Sequence, residues 1–145
     1  MPRIAHLLVL LQFTGIGAAC FPAATGHHGS PYWLLVSVPG LAGGIATLFY
    51  NRIGNFNVHP RPKRDGRLIT NGPYRYIRHP MYLSLVVMML GVALYNFQWL
   101  NLAGLMLVVA AVAGKALLEE RLLLAQFPAY AEYMRHTRRI IPGVF

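Results

Sequence analysis

The reactive side chains of this chain are concentrated in two places: Lys115, Glu119 and Glu120 near the end of a long apolar stretch, and the run Asn71-Gly72-Pro73-Tyr74-Arg75-Tyr76-Ile77-Arg78-His79-Pro80-Met81-Tyr82. A carboxylate beside hydrocarbon is costly without a partner, so each glutamate is expected to have one. Consecutive helical residues point about 100° apart, which gives the two glutamates different tasks. Glu120 is expected to pair with a loop arginine, Arg75 or Arg78, and to keep the loop docked. Lys115 stands four residues before Glu119 on the same helix face, about 6 Å deeper toward the apolar stretch, where a cation would face a reacting centre. His79 precedes a proline at a helix start, a place that suits hydrogen bonding as well as proton transfer, and the sequence leaves both roles open.

The elements that must position these groups are set by composition. The chain has 145 residues, one domain by length; 56% are hydrophobic and 12% charged, against about 25% charged in soluble proteins. Four segments, residues 4–21, 32–50, 81–98 and 99–118, approach the ~20 apolar residues that cross a ~30 Å hydrocarbon core. The third and fourth are joined by a tight turn around residues 95–99. The net charge of +9 is explained by where the bases fall. They fall before the first span, between the second and third, and at or after the end of the fourth, while the connections 22–31 and 95–98 carry no Lys, Arg, Asp or Glu. This pattern places both termini and the 51–80 loop in the cytoplasm, and it accounts for the bases through topology and anionic headgroups without nucleic acid. With Cys20 alone there is no intrachain disulfide or cysteine-rich metal site, and His27-His28 lacks a suitably spaced third ligand, so no metal is expected.

Small residues (Gly15, Gly17, Ala18 and Ala19 in the first span, Gly40, Gly43 and Gly44 in the second) mark places for close helix contact, and Pro39 is expected to kink the second span. The proline- and glycine-rich stretch after Tyr50 predicts a shaped loop, with Pro80 in the first turn of the third span. The fourth helix is expected to run on to about Gln126. Pro128 then opens a short helix in which Tyr130, Tyr133, Met134 and Thr137 share one face.

The Gly-Pro-Tyr-Arg-Tyr-x-Arg-His-Pro-Met-Tyr run, the paired glutamates and the tail Phe127-x-x-Tyr130-x-x-Tyr133 ending in Ile140-Ile141-Pro142 resemble the isoprenylcysteine carboxyl methyltransferase family and the related phospholipid methyltransferases. The resemblance covers the chain from about His59 to the end, and this would be a minimal, prokaryotic-type member. It implies S-adenosylmethionine as cofactor, held by positions matching His59, Gly66, Arg67, Leu68, Ile69, Tyr74, His79, Pro80, Met81, Tyr82 and Glu119. It also implies that Lys115, which stands where those enzymes carry an arginine, serves the acceptor. The donor's amino-acid end, ribose and adenine call for cations or backbone N–H groups, a carboxylate and an apolar slot, and the loop and helix end contain all three. Two departures are the lysine itself, which lacks the bidentate fork of arginine, and Phe127-Pro128 in place of Phe-Gly.

The expected fold is all-α: an integral membrane protein of four transmembrane helices, a structured cytoplasmic loop 59–82 that binds cofactor, and a cytoplasmic segment 119–145 with a short helix. Localisation follows as a multi-pass protein of a bacterial or archaeal inner membrane. The expected function is S-adenosylmethionine-dependent methyl transfer to a lipid-like acceptor reached from the bilayer. A carboxylate, a lipid amine or a thiol all remain as acceptors. Readings of another class are a reductase, since membrane sterol reductases share a similar core but are larger, and a non-catalytic membrane scaffold.

Overall fold

The computed structural model describes residues 2–22, 29–51 and 68–143. His27, His28, His59, Gly66, Arg67 and most of the 51–80 loop therefore lie outside the described residues. Five helices carry the fold: α1 Pro2–Cys20, α2 Leu34–Asn51 preceded by a 3-10 turn at Pro31–Trp33, α3 Pro80–Asn96, α4 Trp99–Gln126 and α5 Tyr130–His136. Ser30 begins the turn before α2, its hydroxyl accepting from the Tyr32 amide.

Three stretches, Arg3–Cys20, Pro31–Asn51 and Trp99–Gln126, are long and apolar enough to cross a membrane. The third expected span is apolar but shorter, Pro80–Asn96, and so does not reach the length of the other three. It ends two residues before the expected boundary because Phe97 turns left-handed (φ 48°, ψ 46°), its amide donating to Ala93 O at 2.8 Å. The fourth helix continues to Gln126 and so carries Lys115, Glu119 and Glu120 on one unbroken rod. Helix α2 likewise runs through Pro39 without a break.

In hydrocarbon, helices associate through close packing and through polar contacts between them, because burying apolar surface against apolar lipid gains little. Both devices are present. Helix α1 packs on α4 and α2 on α3, with α3 and α4 in contact between them. The α1–α4 crossing depends on Gly15 and Gly104: a Cβ on Gly15 would lie 2.8 Å from Gly104 O, and one on Gly104 would collide with the Ala19 amide. The α2–α3 crossing uses Gly40 and Gly91 in the same way, and there Ser37 Oγ donates to Met88 O at 2.8 Å. Ala19, Met89, Val108 and Val112 fill the centre.

The carbonyls at the C-terminal end of α1 have no partners within their own helix. Asn101, fully buried, donates from Nδ2 toward Ala18 O, Ala19 O and Phe21 O at 2.9–3.1 Å, and Asn96 Nδ2 adds a bond to Ala19 O at 3.0 Å. Leu10 and Phe13 on α1, and Leu35, Leu41 and Phe49 on α2, remain exposed, an apolar exterior suited to lipid.

Gly104→Ala is expected to destabilise the protein by about 1–3 kcal/mol, since the added methyl has no room at the helix crossing. Gly17→Ala, where nothing lies within 4 Å of a Cβ, should leave stability unchanged or slightly raised. Thermal unfolding of the two variants in one detergent checks the contrast.

Candidate active site

The site forms where the loop before α3 meets the C-terminal part of α4. Residues 68–70 lead into a 3-10 turn at Gly72–Arg75. Gly72 has φ +58°, and a Cβ there would strike the ring of Tyr50 at the end of α2, so a glycine is required at this position for the loop to lie against the bundle. His79 (φ −125°, ψ 61°) stays out of the helical region, as a residue before proline must, and the buried Pro80 opens α3 with no amide to satisfy.

Glu120 is the anchor of the arrangement. Its side chain is 4% exposed; Oε1 accepts from Arg78 Nε at 2.7 Å and Oε2 from Arg139 Nε at 2.9 Å. Arg78 continues into the tail, donating from Nη1 to Thr137 O and Met134 O. The backbone follows the side chains. A parallel bridge joins Ile77 to Arg138: Arg138 N donates to Tyr76 O at 3.1 Å, Arg78 N to Arg138 O at 2.8 Å, and His79 N to Arg139 O at 2.9 Å. The chain end is thus strapped to the residues that precede α3. Of the two arginines expected to serve Glu120, Arg78 does so, while Arg75 is exposed and makes no ion pair among the described residues.

Helix α5 places its aromatic face inward. Tyr130 is buried, Tyr133 half-buried, and the Tyr133 hydroxyl donates to Tyr74 O at 2.6 Å, pinning the 3-10 turn from above. Burial pushes the Tyr133 phenol up to about 12, although Arg78 pulls the other way; burial also raises Tyr74 and Tyr130 well above the ordinary range.

Glu119 turns to the other side. It is 29% exposed at its side chain and accepts from the Tyr82 hydroxyl at 2.9 Å. The His79 ring lies between the two carboxylates, with Nδ1 3.7 Å from Glu119 Oε2 and Nε2 3.4 Å from Glu120 Oε1, the latter too poorly aligned for a hydrogen bond. The ring also stacks on Tyr82 with centroids 5.2 Å apart. One turn back along α4, Lys115 is buried; its ammonium donates to Gln12 Oε1 at 2.7 Å and lies 5.3 Å from the centre of the Tyr82 ring.

Tyr74, His79, Tyr82, Lys115, Glu119 and Glu120 are therefore brought together, with Pro80 buried beside them. Met81, Leu68 and Ile69 are half-buried nearby in sequence, without a polar contact to this group. Sequence reasoning missed Gln12, the second arginine on Glu120, Arg139, and the contact of Arg78 to Thr137, a residue it had placed only on the face of the last helix. Gln12 had a signal, an amide inside an apolar helix, whereas the pairing of the tail residues had none in the local pattern.

The sequence profile of the family described as phospholipid methyltransferase matches residues 31–129. The chain belongs to the phospholipid methyltransferase family. Members are membrane methyltransferases that generally use S-adenosylmethionine. The chain is also similar to the cobalt-zinc-cadmium resistance protein CzcN of Cupriavidus metallidurans, 30% identical over 82 residues, which are 55% of this chain and 38% of that protein. The chain thus matches well under half the length of that curated relative. No solved structure matches. The profile ends before α5 and begins after α1, so Gln12 and the strap residues Thr137, Arg138 and Arg139 lie outside the part that defines the family.

The residues present suit the cofactor that the family generally uses. Tyr130 Oη is buried without a hydrogen-bond partner among the described residues, His79 Nε2 has only Glu120 Oε1 at 3.4 Å, and Glu119 keeps acceptor capacity on a partly open carboxylate. A polar ligand with hydroxyls and an amino group would answer these groups.

Arg78→Met leaves Glu120 buried with a single guanidinium and removes the bonds to the tail carbonyls, so it is expected to cost about 3–5 kcal/mol of stability. Limited proteolysis should find the tail first. Tyr133 ionises above its unfolded value of 10, so its bond to Tyr74 O is retained up to about pH 10 and lost as pH rises through about 12. Tyrosinate absorbance compared with Tyr133→Phe should show one phenol fewer titrating at the alkaline end.

Proposed function

We propose that this protein is an S-adenosylmethionine-dependent methyltransferase acting on a lipid-like acceptor that arrives through the membrane. The observation that carries the reading is the convergence of His79 and Tyr82 on the partly open carboxylate of Glu119, within the stretch matched by the family. In this reading Glu119, His79, Tyr82, Tyr74 and Tyr130 hold the cofactor, together with His59, Gly66, Arg67, Leu68, Ile69, Pro80 and Met81 as the sequence resemblance implies. Bound S-adenosylmethionine supplies an electrophilic methyl group on a sulfonium.

The chain's own contribution is positioning, which can supply about 7–11 kcal/mol of barrier reduction when reacting groups are held close and aligned. Glu119 accepts from the cofactor's hydroxyl or amino groups, and Tyr82 fixes the carboxylate through its own hydroxyl. Arg78, Arg139 and Glu120 hold the tail over the loop and keep water from the reacting centre. Lys115 lies on the acceptor side, one turn deeper than Glu119. His79 is a contact to the cofactor, and it becomes a general base only if the acceptor is an amine, because carboxylates and thiolates react without one. The acceptor class nearest to the motif resemblance is a carboxylate, with a lipid amine or a thiol as the alternatives. The basic inner segments favour a multi-pass protein of a prokaryotic inner membrane whose cofactor site and termini face the cytoplasm.

Glu119→Gln is expected to weaken S-adenosylhomocysteine binding by about 10–100-fold, the range of a hydrogen bond to a charged group. Glu120→Gln should leave that affinity within a few-fold and lower thermal stability instead. Titration calorimetry with both variants decides, and unchanged affinity in a folded Glu119→Gln protein would reject the assignment.

A further inference from the structure

We infer that Gln12 is a positioning residue that makes Lys115 a cationic seat for an acidic lipid head within the bundle; this rests on the methyltransferase reading above. Gln12 sits near the middle of α1 (Pro2–Cys20), a helix whose other exposed faces are apolar and which lies outside the residues matched by the family. Its register against α4 is fixed by packing. Leu8 meets Gly114, and Gly15 meets Gly104 and Val108, so the two helices run antiparallel and Lys115 starts beside Leu8. The ammonium nevertheless reaches Gln12, a full turn further along α1 and further from the charged inner end. A lysine that only served to reach headgroups would point the opposite way. Side chains lean toward the N-terminus of their own helix, which for α4 is the far side of the bundle, and Gln12 captures the lysine there.

The surroundings of the ammonium decide what it can bind. Lys115 is 3% exposed, and its contacts are a neutral amide oxygen at 2.7 Å and the face of Tyr82 with its centre at 5.3 Å. Neither cancels the charge; the Glu119 carboxylate, one turn along α4, acts on the ammonium through space, but among the described residues Lys115 makes no ion pair. An ammonium has three donors; one goes to Gln12 and one side faces the ring, which leaves capacity for an incoming oxygen or sulfur anion. Tyr82 connects this seat to the cofactor side, because the same side chain that faces Lys115 donates to Glu119. An acid head bound at Lys115 is therefore separated from Glu119 by a single tyrosine, whereas an ammonium head would meet a like charge. Gln12 sets the selectivity by holding the lysine in place without neutralising it.

The test uses the full chain in nanodiscs of phosphatidylcholine, with cis-parinaric acid and its methyl ester as fluorescent probes and S-adenosylhomocysteine calorimetry on the same samples. The wild-type protein should bind the acid at least about tenfold more tightly than the ester, as a charged hydrogen bond would give. Gln12→Glu retains an oxygen for Lys115 and should fold like the wild type, yet it supplies the cancelling charge, so the preference should shrink to about twofold. Lys115→Met should abolish it, and all these variants should bind S-adenosylhomocysteine as the wild type does. Gln12→Leu fills the same space without an oxygen for the lysine, so it should also weaken the preference, whereas a Gln12 that serves packing alone would leave it at the wild-type value. Full acid preference in Gln12→Glu, or none in the wild type, overturns the inference while intact S-adenosylhomocysteine binding leaves the methyltransferase reading in place. If the wild type fails to bind S-adenosylhomocysteine, the methyltransferase reading falls and the acceptor role of Gln12 falls with it.

Discussion

A carboxylate shared by two guanidinium groups at the edge of an apolar bundle is the constraint on which the site depends. Glu120 cannot face hydrocarbon alone. Satisfying it draws Arg78 from the loop and Arg139 from the tail onto the same helix end. Once Arg78 is held, the backbone beside it pairs with the tail, and the His79 amide is fixed by Arg139 O. The His79 ring is then held between the carboxylates of α4 and stacked on Tyr82. Three pieces of chain far apart in sequence thus owe their common geometry to one buried charge.

Glu119 and Glu120 show how helical phase divides labour between adjacent identical residues. The first stays partly open to a ligand, and the second is consumed by the protein itself. A polar rim of this kind tolerates little rearrangement, since each member leaves a costly orphan if its partner moves. The tyrosines above it carry no charge at neutral pH, and burial extends that range upward for Tyr74, Tyr130 and Tyr133.

The helices were legible because apolar runs of this length permit few other structures, and the need of Glu120 for a cation was legible from the price of an unpaired charge in hydrocarbon. The choice of Arg78 over Arg75 was not, because it depends on the 3-10 turn at Gly72–Arg75, which points Arg75 outward. Nor was the tail strap: Arg139 carries no periodic signal, the periodicity that includes Thr137 marks a face and not a partner, and the partners of both are set by a pairing between remote segments. The end of α3 was misjudged by two residues because Phe97 takes a left-handed conformation that asparagine or glycine would have advertised. Gln12 was missed although an amide in an apolar helix is a signal, and its target follows only from the glycine crossing that sets the α1–α4 register.

The asparagines at the far end of α1 bear on how the chain is assembled as it is made. The bonds from Asn96 and Asn101 to the last carbonyls of α1 span 77 to 83 residues of sequence. A ribosome completes α1 long before it reaches either asparagine. During that interval the open end of the helix has only water or headgroups to satisfy it, so it must wait at an aqueous boundary and cannot bury itself. Sealing comes when the α3–α4 turn arrives with its amides, which makes that turn the late step of biogenesis and gives the nascent chain a built-in order: thread first, lock afterwards.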